Sequence, residues 1–339
     1  MVLVQFAFAG AGDRVEHQAV QERDEVPRPV GRVGNAGGDE VRQRAMPEGQ
    51  AGIQDVDGRW LSRSDTAELE RRHGQWAMLH RADLLDVLRS AVPEDALHAG
   101  IEVREVHTDG TVVHAGGVSS ADLVVGADGI RSITRRTVFP HAPAPRYAGY
   151  RTWRMIAPPR QVRSVETWGK GDRFGYAPLP DGRVYCYAVV RGPEGASGDI
   201  HALRRRFADW HDPIPALLDS VADDVLLGHD SYELPDLPSF VSGRVALLGD
   251  AAHAMTPNLG QGGCQALEDA VVLGAAGDLG AYDRARRPRA QMIVRRSRRV
   301  GVVAHWTSPV AVAARNTAMR LAPGSALIRS MEPVLNWTP

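Results

Sequence analysis

The chain is almost without lysine. Lys170 is the single one among 40 basic residues, so arginine carries nearly all of the positive charge. The chain also lacks an excess of either charge, because 41 acidic residues bring the formal net charge to −1. A chain with this balance has no global positive field to attract nucleic acid or an anionic membrane. We therefore expect neither of those partners.

Cysteine and long hydrophobic runs are scarce as well. Cys186 and Cys264 are the only cysteines and stand far apart, outside any CxxC spacing. This excludes a disulfide framework and a metal site built from thiols. No apolar run reaches the roughly 20 residues of a membrane-spanning helix. Residues 2–9 are apolar apart from Gln5, but no positive charge precedes them, so a signal peptide is not indicated and we expect a cytoplasmic protein.

Large apolar side chains are missing from the first part of the chain. Between Ala9 and Arg59 there is no Leu, Phe, Tyr or Trp, and no helical or strand period of apolar residues persists. Such a segment buries too little surface to offset its ordering entropy. We interpret residues 1–59 as an atypical, poorly packed N-terminal segment.

The remaining residues are typical of a folded α/β protein. An amphipathic helix is predicted at residues 80–92, and short buried strands are predicted at 122–126 and 243–248. Residues 147–191 are rich in Tyr, Trp and Val and contain a turn at Asp181, which indicates a separate sheet. The predicted organisation is an α/β domain in two parts (60–145 and 231–303), an inserted β-rich domain (146–230) and a helical tail (304–339).

The strongest pattern for chemistry lies at residues 245–270 (VALLGDAAHAMTPNLGQGGCQALEDA). A hydrophobic strand delivers Gly249 and Asp250 at its carboxyl end, where open α/β sheets bind ligands and a carboxylate can accept hydrogen bonds from sugar-like hydroxyls. A glycine-rich turn at 260–263 then begins a helix, whose N-terminus favours an adjacent anion. A Gly-Asp pair at a strand end also occurs in α/β turns without a ligand, so the pair alone leaves a purely structural interpretation open.

Three segments together resemble the FAD-dependent aromatic monooxygenases of the para-hydroxybenzoate hydroxylase class, nearest to the salicylate and 3-hydroxybenzoate hydroxylase branch and its epoxidase relatives. They are residues 245–270, 121–136 (ADLVVGADGIRSITRR) and 79–88 (LHRADLLDVL). The resemblance implies that Asp250 holds the ribityl chain of FAD and that residues 257–263 lie along the isoalloxazine ring. It implies these cofactor-binding residues: Arg81 at the ribityl–phosphate region, Asp128 and Gly129 at the pyrophosphate, and Gly249, Asp250, Pro257, Gly260, Gln261, Gly262 and Gly263.

The same resemblance implies a fold and a reaction. The fold is a three-layer α/β FAD-binding domain, with α+β elements, that carries an inserted β-rich substrate domain. In the reaction, NADH or NADPH reduces FAD, O₂ forms a flavin C4a-hydroperoxide, and a small aromatic or polycyclic substrate is hydroxylated. A monomer or homodimer is expected. Epoxidation or reduction on the same fold, and a chain with impaired FAD binding and no activity, remain alternatives.

No residue of the sequence stands out as a catalytic acid or base. His253 and Pro257 are weak catalytic candidates, and His253 has the alternative of packing or hydrogen bonding within its turn. Cys264, at a helix start, is either a reactive thiol or a small buried side chain. The arginines at 284–299 are interpreted as a solvated helix face. The aromatic residues of the β-rich domain are expected to divide between its core and a lid over the substrate: Tyr150, Trp153, Trp168, Phe174, Tyr176, Tyr185 and Tyr187.

The family opens with a strand, a GxGxxG turn and a helix that bind the dinucleotide, and this N-terminal βαβ unit is degenerate or absent here. The only candidate is at residues 10–15 (GAGDRV), where Val15 replaces the third glycine and Pro27 and Pro29 interrupt the following helix. Either the chain carries a variant N-terminus, or residues 1 to about 46 come from a shifted reading frame or a misplaced start. The Arg-, Gly- and Ala-rich composition favours the shifted frame.

Overall fold

The computed structural model describes residues 3–7, 46–47, 51–64, 76–223 and 226–337. None of the helices in these segments is long and apolar enough to cross a membrane. The strands are β1 (Leu3–Ala7), β2 (Met46–Pro47), β3 (Ala51–Asp55), β4 (Trp60–Ser64), β5 (Trp76–His80), β6 (Val103–Val106), β7 (Thr111–His114), β8 (Gly117–Ser120), β9 (Val124–Gly126), β10 (Arg146–Ala157), β11 (Ser164–Trp168), β12 (Asp172–Pro178), β13 (Val184–Arg191), β14 (Leu227–Glu233), β15 (Val241–Ser242) and β16 (Val245–Leu247). The helices are α1 (Arg81–Ser90), α2 (Ile133–Val138), α3 (Ile200–Arg206), α4 (Ile214–Ser220), α5 (Asp250–His253), α6 (Gly262–Ala275), α7 (Leu279–Ala304), α8 (Pro309–Leu321) and α9 (Gly324–Leu335), with 3₁₀ turns at Glu94–Ala96 and Pro257–Leu259.

The largest sheet in these segments has seven strands, in the order β14-β10-β13-β12-β11-β3-β4. Its pairs are antiparallel except for β3 and β11, which run in parallel. Three smaller sheets have the orders β1-β5-β2, β15-β16-β9 and β6-β7-β8. The pairs β1 with β5 and β9 with β16 are parallel, as expected where crossover connections build an α/β layer.

One face of the seven-stranded sheet is buried against helices. Side chains alternate between the two faces of a strand, and on one face Trp153 and Phe174 pack with residues of α3 and α4. Phe207, which follows α3, is fully buried there, with its ring centroid 5.4 Å from that of Phe174 and 4.7 Å from that of Trp210. The opposite face lines the cavity described below.

The strands that carry the two strongest motifs lie side by side. β9 and β16 are parallel, and Gly126 stands opposite Leu247. Residues 127–129 and 248–250 therefore leave the sheet at the same edge, which is the edge where open α/β sheets bind ligands. Gly126 allows the sheet to approach α2 closely, because a Cβ there would lie 2.6 Å from Cγ2 of Thr134.

The mixed α/β class and the main elements expected from the sequence are present. The helix expected at 80–92 is α1, in which Leu84 and Val87 are buried while Leu85 is 56% exposed. The buried strands expected at 122–126 and 243–248 are β9 and β16. Pro213 lies between α3 and α4.

The hairpin at residues 51–64 belongs to the large sheet. β3 pairs in parallel with β11, and Asp55 at its end is buried. Composition alone assigns residues 51–59 to a poorly packed segment, because it does not reveal backbone hydrogen bonds to a distant strand. The boundary expected at residue 60 thus falls inside a hairpin. The candidate fingerprint at 10–15 lies outside the described residues.

We expect the core between the large sheet and α3 to be the main source of stability for that layer. Replacing Phe207 by Ala removes a fully buried ring and should lower the free energy of unfolding by about 3–5 kcal/mol, because a cavity remains where the ring was. Urea unfolding followed by circular dichroism measures the change. The control Leu321→Ala alters a side chain that is 79% exposed and should change the free energy by less than about 0.5 kcal/mol. Equal effects of the two substitutions would contradict this assignment of the core.

Candidate active site

A large cavity lies between the open face of the seven-stranded sheet and the loops that follow β9 and β16. Its volume is about 1600 Å³, more than the roughly 300–1,000 Å³ of a site for one small ligand. Its size therefore suits a cofactor together with a substrate. Most of the cofactor-binding residues expected from the sequence line it: Gly129, Gly249, Asp250, Pro257, Gly260, Gln261, Gly262 and Gly263.

The turn after β16 presents Asp250 to this cavity. Gly249 has φ 60° and ψ −137°, a backbone conformation that favours glycine. The chain then enters α5, and the Asp250 side chain is exposed at the cavity wall. A carboxylate in this position can accept hydrogen bonds from ligand hydroxyls.

Asp269 of α6 is the fully buried anchor of that turn. Its Oδ2 accepts hydrogen bonds from the Gly249 N–H at 2.9 Å and from Nε2 of His253 at 2.5 Å, and its Oδ1 accepts one from Nε of Arg286 at 2.7 Å. Burial by itself raises the pKa of the Asp269 carboxyl, but the imidazole and the guanidinium beside it hold the pKa below its usual range. The ionised carboxylate thus joins α5, α6 and α7 at one point.

Arg286 of α7 belongs to the same buried cluster, so the expectation of a solvated arginine face is wrong at this residue. It is 1% exposed, pairs with Glu268 at 2.5 Å, and donates from Nη2 to Oε1 of Gln265 at 2.8 Å. Arg289 donates from Nε and Nη2 to the same Glu268 carboxylate at 2.7 and 3.0 Å. Because each charge has a partner of opposite sign, the cluster avoids the large cost of an unpaired buried ion.

The carboxylate of Asp128 stabilises the turn after β9, in which it lies. Its Oδ1 accepts from the Ser132 hydroxyl at 2.5 Å and its Oδ2 from the Thr134 N–H at 2.9 Å. Asp128 is only 2% exposed, whereas the neighbouring Gly129, with φ 74°, reaches the cavity wall. The side chain of Asp128 therefore shapes the turn, and the Gly129 backbone faces the cavity.

Arg135 of α2 links the turn after β9 to the turn after β16. Its Nη1 donates to the carbonyl of Ala251 at 2.8 Å, and its Nη2 donates to the carbonyl of Ile130. Burial lowers the pKa of this guanidinium, but an arginine remains charged at neutral pH. The link holds the turn after β9 at a fixed place against the turn after β16.

Residues 257–263 form a further wall of the cavity. The 3₁₀ turn Pro257–Leu259 ends at Gly260, whose φ of 64° is left-handed, and α6 begins at Gly262. A Cβ on Gly262 would lie 3.9 Å from Cγ of Met255, so no steric clash requires glycine at this position. A helix of this length places partial positive charge at this wall.

Two residues that the sequence does not single out connect this loop to the large sheet. Arg173 of β12 is 2% exposed and donates from Nη2 to Oδ1 of Asn258 at 2.6 Å. Its Nη1 donates to Oε1 of Glu166 in β11 at 2.9 Å. Arg173 and Asn258 both line the cavity. No local pattern could have predicted this contact, because its partners are 85 residues apart.

Asn258 is also fixed by hydrogen bonds to residues of α7 and β10. Its Nδ2 donates to the Tyr150 hydroxyl oxygen at 3.0 Å and to the carbonyl of Ser297 at 2.9 Å. A Cβ on Gly301 would lie 2.5 Å from that Nδ2. Gly301 is therefore the residue of α7 that makes room for Asn258.

Tyr150 and His305 form a stacked pair behind Arg173, with ring centroids 4.1 Å apart. Nδ1 of His305 donates to the Gly301 carbonyl at 2.7 Å. Burial, followed by the charge of Arg173, lowers the pKa of His305 to about 3, and burial raises the pKa of Tyr150. Neither ring exchanges a proton readily near neutral pH, so the pair supports Arg173 by packing.

The aromatic residues of the large sheet divide between its two faces. Trp153 and Phe174 pack in the core, and Tyr176 contributes both to that core and to the cavity wall. Tyr185 and Tyr187 line the cavity. Trp168 also lines it, with the guanidinium carbon of Arg315 5.3 Å from its ring centroid.

The weak catalytic candidates differ in position. Pro257 lies at the cavity wall, but it carries no acid or base. His253 is 2% exposed behind that wall, where Nε2 donates to Asp269 and Nδ1 has no hydrogen-bond partner in the part of the chain that the structure describes. Cys264 is a buried thiol outside any disulfide. This geometry favours the structural interpretation of His253 and Cys264.

Arg81 is the first residue of α1, and only its backbone is among the described atoms. Its expected contact with the cofactor therefore stays a prediction.

The residues around the cavity fit FAD. Asp250 offers an acceptor for the hydroxyls of a ribityl chain, and Gly260 and Gly262 line the cavity without side chains that would take up the space of a flat ring. The N-terminus of α6 suits the negative charge that a reduced flavin carries. FAD would therefore lie along the loops, which leaves the aromatic face of the sheet to a substrate.

Comparison with known proteins agrees with this arrangement. The family described as "FAD binding domain" matches residues 237–297, which include the turn after β16 and α6. The chain is 37% identical over 280 residues to the aurachin C monooxygenase/isomerase of Stigmatella aurantiaca, with 77% of this chain and 73% of that protein covered. It is 33% identical over 309 residues to the 2-heptyl-3-hydroxy-4(1H)-quinolone synthase of Pseudomonas aeruginosa, with 85% and 80% covered. Its structure is similar to that of Klebsiella pneumoniae HpxO complexed with FAD and uric acid, with a TM-score of 0.80, 30% identity, and 88% and 82% of the two chains covered.

The Asp269 cluster leads to a prediction about stability and pH. Replacing Asp269 by Asn leaves Arg286 without one of its charge partners and should lower the free energy of unfolding by about 3–5 kcal/mol at neutral pH. Because folding lowers the pKa of Asp269 from its usual 3.8, its contribution is complete well above that pH and is lost as the pH falls through the lowered value. The difference between wild type and variant should therefore shrink as the pH falls below 3.8.

Denaturant unfolding at several pH values measures this difference. Asp278→Asn is the matched control, since Asp278 caps α7 through its side-chain oxygen and an asparagine caps equally well. A wild-type-minus-variant difference for Asp269→Asn that stays constant down to low pH would contradict the role of the ionised carboxylate.

Proposed function

The chain belongs to the family of FAD-dependent aromatic hydroxylases, and from this membership we propose that it hydroxylates a planar, fused-ring heteroaromatic compound held between the large sheet and residues 257–263. It is an FAD-dependent monooxygenase. The observation that carries the proposal is that one cavity has two chemically different walls. Asp250 and the glycine-rich loop form one wall, and Tyr185 and Tyr187 belong to the other.

The names of relatives support a fused-ring substrate. One relative is a 2-heptyl-3-hydroxy-4(1H)-quinolone synthase, and the structure of HpxO contains uric acid. A quinolone and a purine both consist of two fused planar rings with polar edges. Such a compound can contact aromatic side chains through its faces, with ring centroids about 4.5–7 Å apart.

On the cofactor side, the chain binds and orients. FAD, when bound, supplies the redox chemistry that takes two electrons from NADH or NADPH and activates O₂. One oxygen atom enters the substrate and the other leaves as water. Asp250 accepts hydrogen bonds from cofactor hydroxyls, and the N-terminus of α6 stabilises negative charge beside residues 257–263.

On the substrate side, the chain excludes water and fixes geometry. Arg173 is buried and charged, and its contacts with Glu166 and Asn258 hold the sheet at a set distance from the cofactor loop. Its guanidinium offers a positive charge to an electron-rich substrate oxygen near the loop. Tyr185 and Val189 add apolar surface to the same wall, which limits the access of water to the reacting atoms.

The proposal is tested with the full chain and added FAD. We expect a yellow holoprotein whose NADH or NADPH oxidation accelerates when 4-quinolone or urate is added, with a product that has gained one oxygen atom by mass spectrometry. Asp250→Asn removes a charged acceptor and should weaken FAD binding by about tenfold to a hundredfold in a fluorescence titration. The control Asp209→Asn alters an exposed carboxylate outside the cavity wall and should leave FAD binding unchanged.

A chain that stays colourless after reconstitution with FAD would contradict the proposal. Stimulated NAD(P)H oxidation that yields only H₂O₂, with no oxygenated product from either compound, would contradict the proposed substrate class.

A further inference from the structure

On the face of the large sheet that lines the cavity, a glycine lies opposite a tyrosine of the neighbouring strand. Gly175 of β12 stands directly opposite Tyr187 of β13, and Ala177 stands opposite Tyr185. Residues two apart along a strand share a face, and Tyr185 and Tyr187 both line the cavity. Their ring centroids are 5.9 Å apart and their planes meet at 38°. The two rings therefore form one aromatic surface, which we call the tyrosine floor.

Gly175 is what allows the Tyr187 ring to lie flat across the neighbouring strand. A Cβ placed on Gly175 would overlap Cζ, Cε1 and the hydroxyl oxygen of Tyr187. Backbone conformation does not account for the glycine, since Gly175 is not among the glycines with positive φ. Glycine is therefore required at position 175 because the Tyr187 ring occupies the space that a side chain there would fill.

We propose that Gly175 and Tyr187 determine substrate specificity by setting the height and width of the tyrosine floor, so that the site prefers a substrate with two fused planar rings to one with a single ring. This inference rests on the proposed function. A fused-ring compound above the floor contacts both rings, whereas a single ring contacts one of them. One additional aromatic contact corresponds to about threefold to tenfold in affinity.

Any side chain at position 175 removes this advantage. The Tyr187 ring cannot move down, because the β12 backbone lies beneath it, and Tyr185 stands beside it. We therefore expect the ring to move away from β12 into the cavity that it lines. A raised ring occupies the space above the floor that the second ring of the substrate needs.

The experiment compares kcat/KM for product formation from 4-quinolone, which has two fused rings, and from salicylate, which has one. We expect the wild-type holoenzyme to prefer 4-quinolone and Gly175→Ala to lower that preference by about threefold to tenfold. Tyr187→Phe keeps the flat ring and should keep the preference. Tyr187→Ala removes half of the floor and should lose it without any clash, which keeps the inference testable if Gly175→Ala fails to fold.

Gly228→Ala is the matched control. Gly228 of β14 stands opposite Trp153 of β10, and a Cβ there would overlap the Trp153 ring. Trp153 belongs to the core on the other face of the sheet, so this variant creates the same kind of clash away from the cavity. We expect a lower melting temperature for Gly228→Ala with an unchanged preference between the two compounds.

The outcomes separate this inference from the function on which it rests. No oxygenated product from either compound with wild-type holoenzyme would contradict the proposed function and the inference with it. A wild-type preference for salicylate would contradict the proposed substrate class and the inference with it. A preference unchanged in Gly175→Ala and Tyr187→Ala, or a loss of preference in Gly228→Ala, would overturn the inference alone.

Discussion

The buried carboxylate of Asp269 is the constraint on which the site depends. It accepts from the Gly249 N–H, from His253 and from Arg286, and so it fixes the turn after β16 against α6 and α7. A carboxylate deprived of water must have such partners, because an unpaired buried charge is far more costly than a paired one. The position of Asp250 at the cavity wall follows directly from this network.

The large sheet also organises the site, because its two faces have different surroundings. One face is covered by α3 and α4, and its aromatic residues fill a core around Phe174. The other face is left to a cavity, where Arg173 spans the gap to Asn258. Because side chains alternate along a strand, a single strand such as β12 supplies residues to both environments. The sheet is thus at once a structural layer and one wall of the active site.

Much of the cavity wall that we propose for the cofactor could be predicted from the sequence, since its residues are contiguous. Gly249, Asp250 and residues 257–263 lie within one strand–turn–helix unit, and local backbone geometry brings them to one place. The opposite wall, which we propose for the substrate, could not be predicted in the same way. Its contacts depend on strand register and loop packing, as between Arg173 and Asn258 and between Gly175 and Tyr187. The spacing of apolar residues along the chain does not predict contacts of this kind. Asp128 shows an intermediate case, in which the motif was recognisable but the carboxylate is used within the turn.

The sequence by itself determined that this chain has a mixed α/β fold with a strand-rich region at 147–191, that a glycine-rich turn follows a buried strand, and that the chain resembles FAD-dependent hydroxylases. Those conclusions depend on short-range patterns: apolar runs, glycine positions and the carboxyl ends of strands. Only the tertiary structure decided that His253 supports the turn from behind the cavity wall, that residues 51–64 join the large sheet, and that Tyr187 lies flat over Gly175. Each of these rests on contacts between residues distant in the chain, which hydrogen-bond register and close packing fix only when the whole domain has folded.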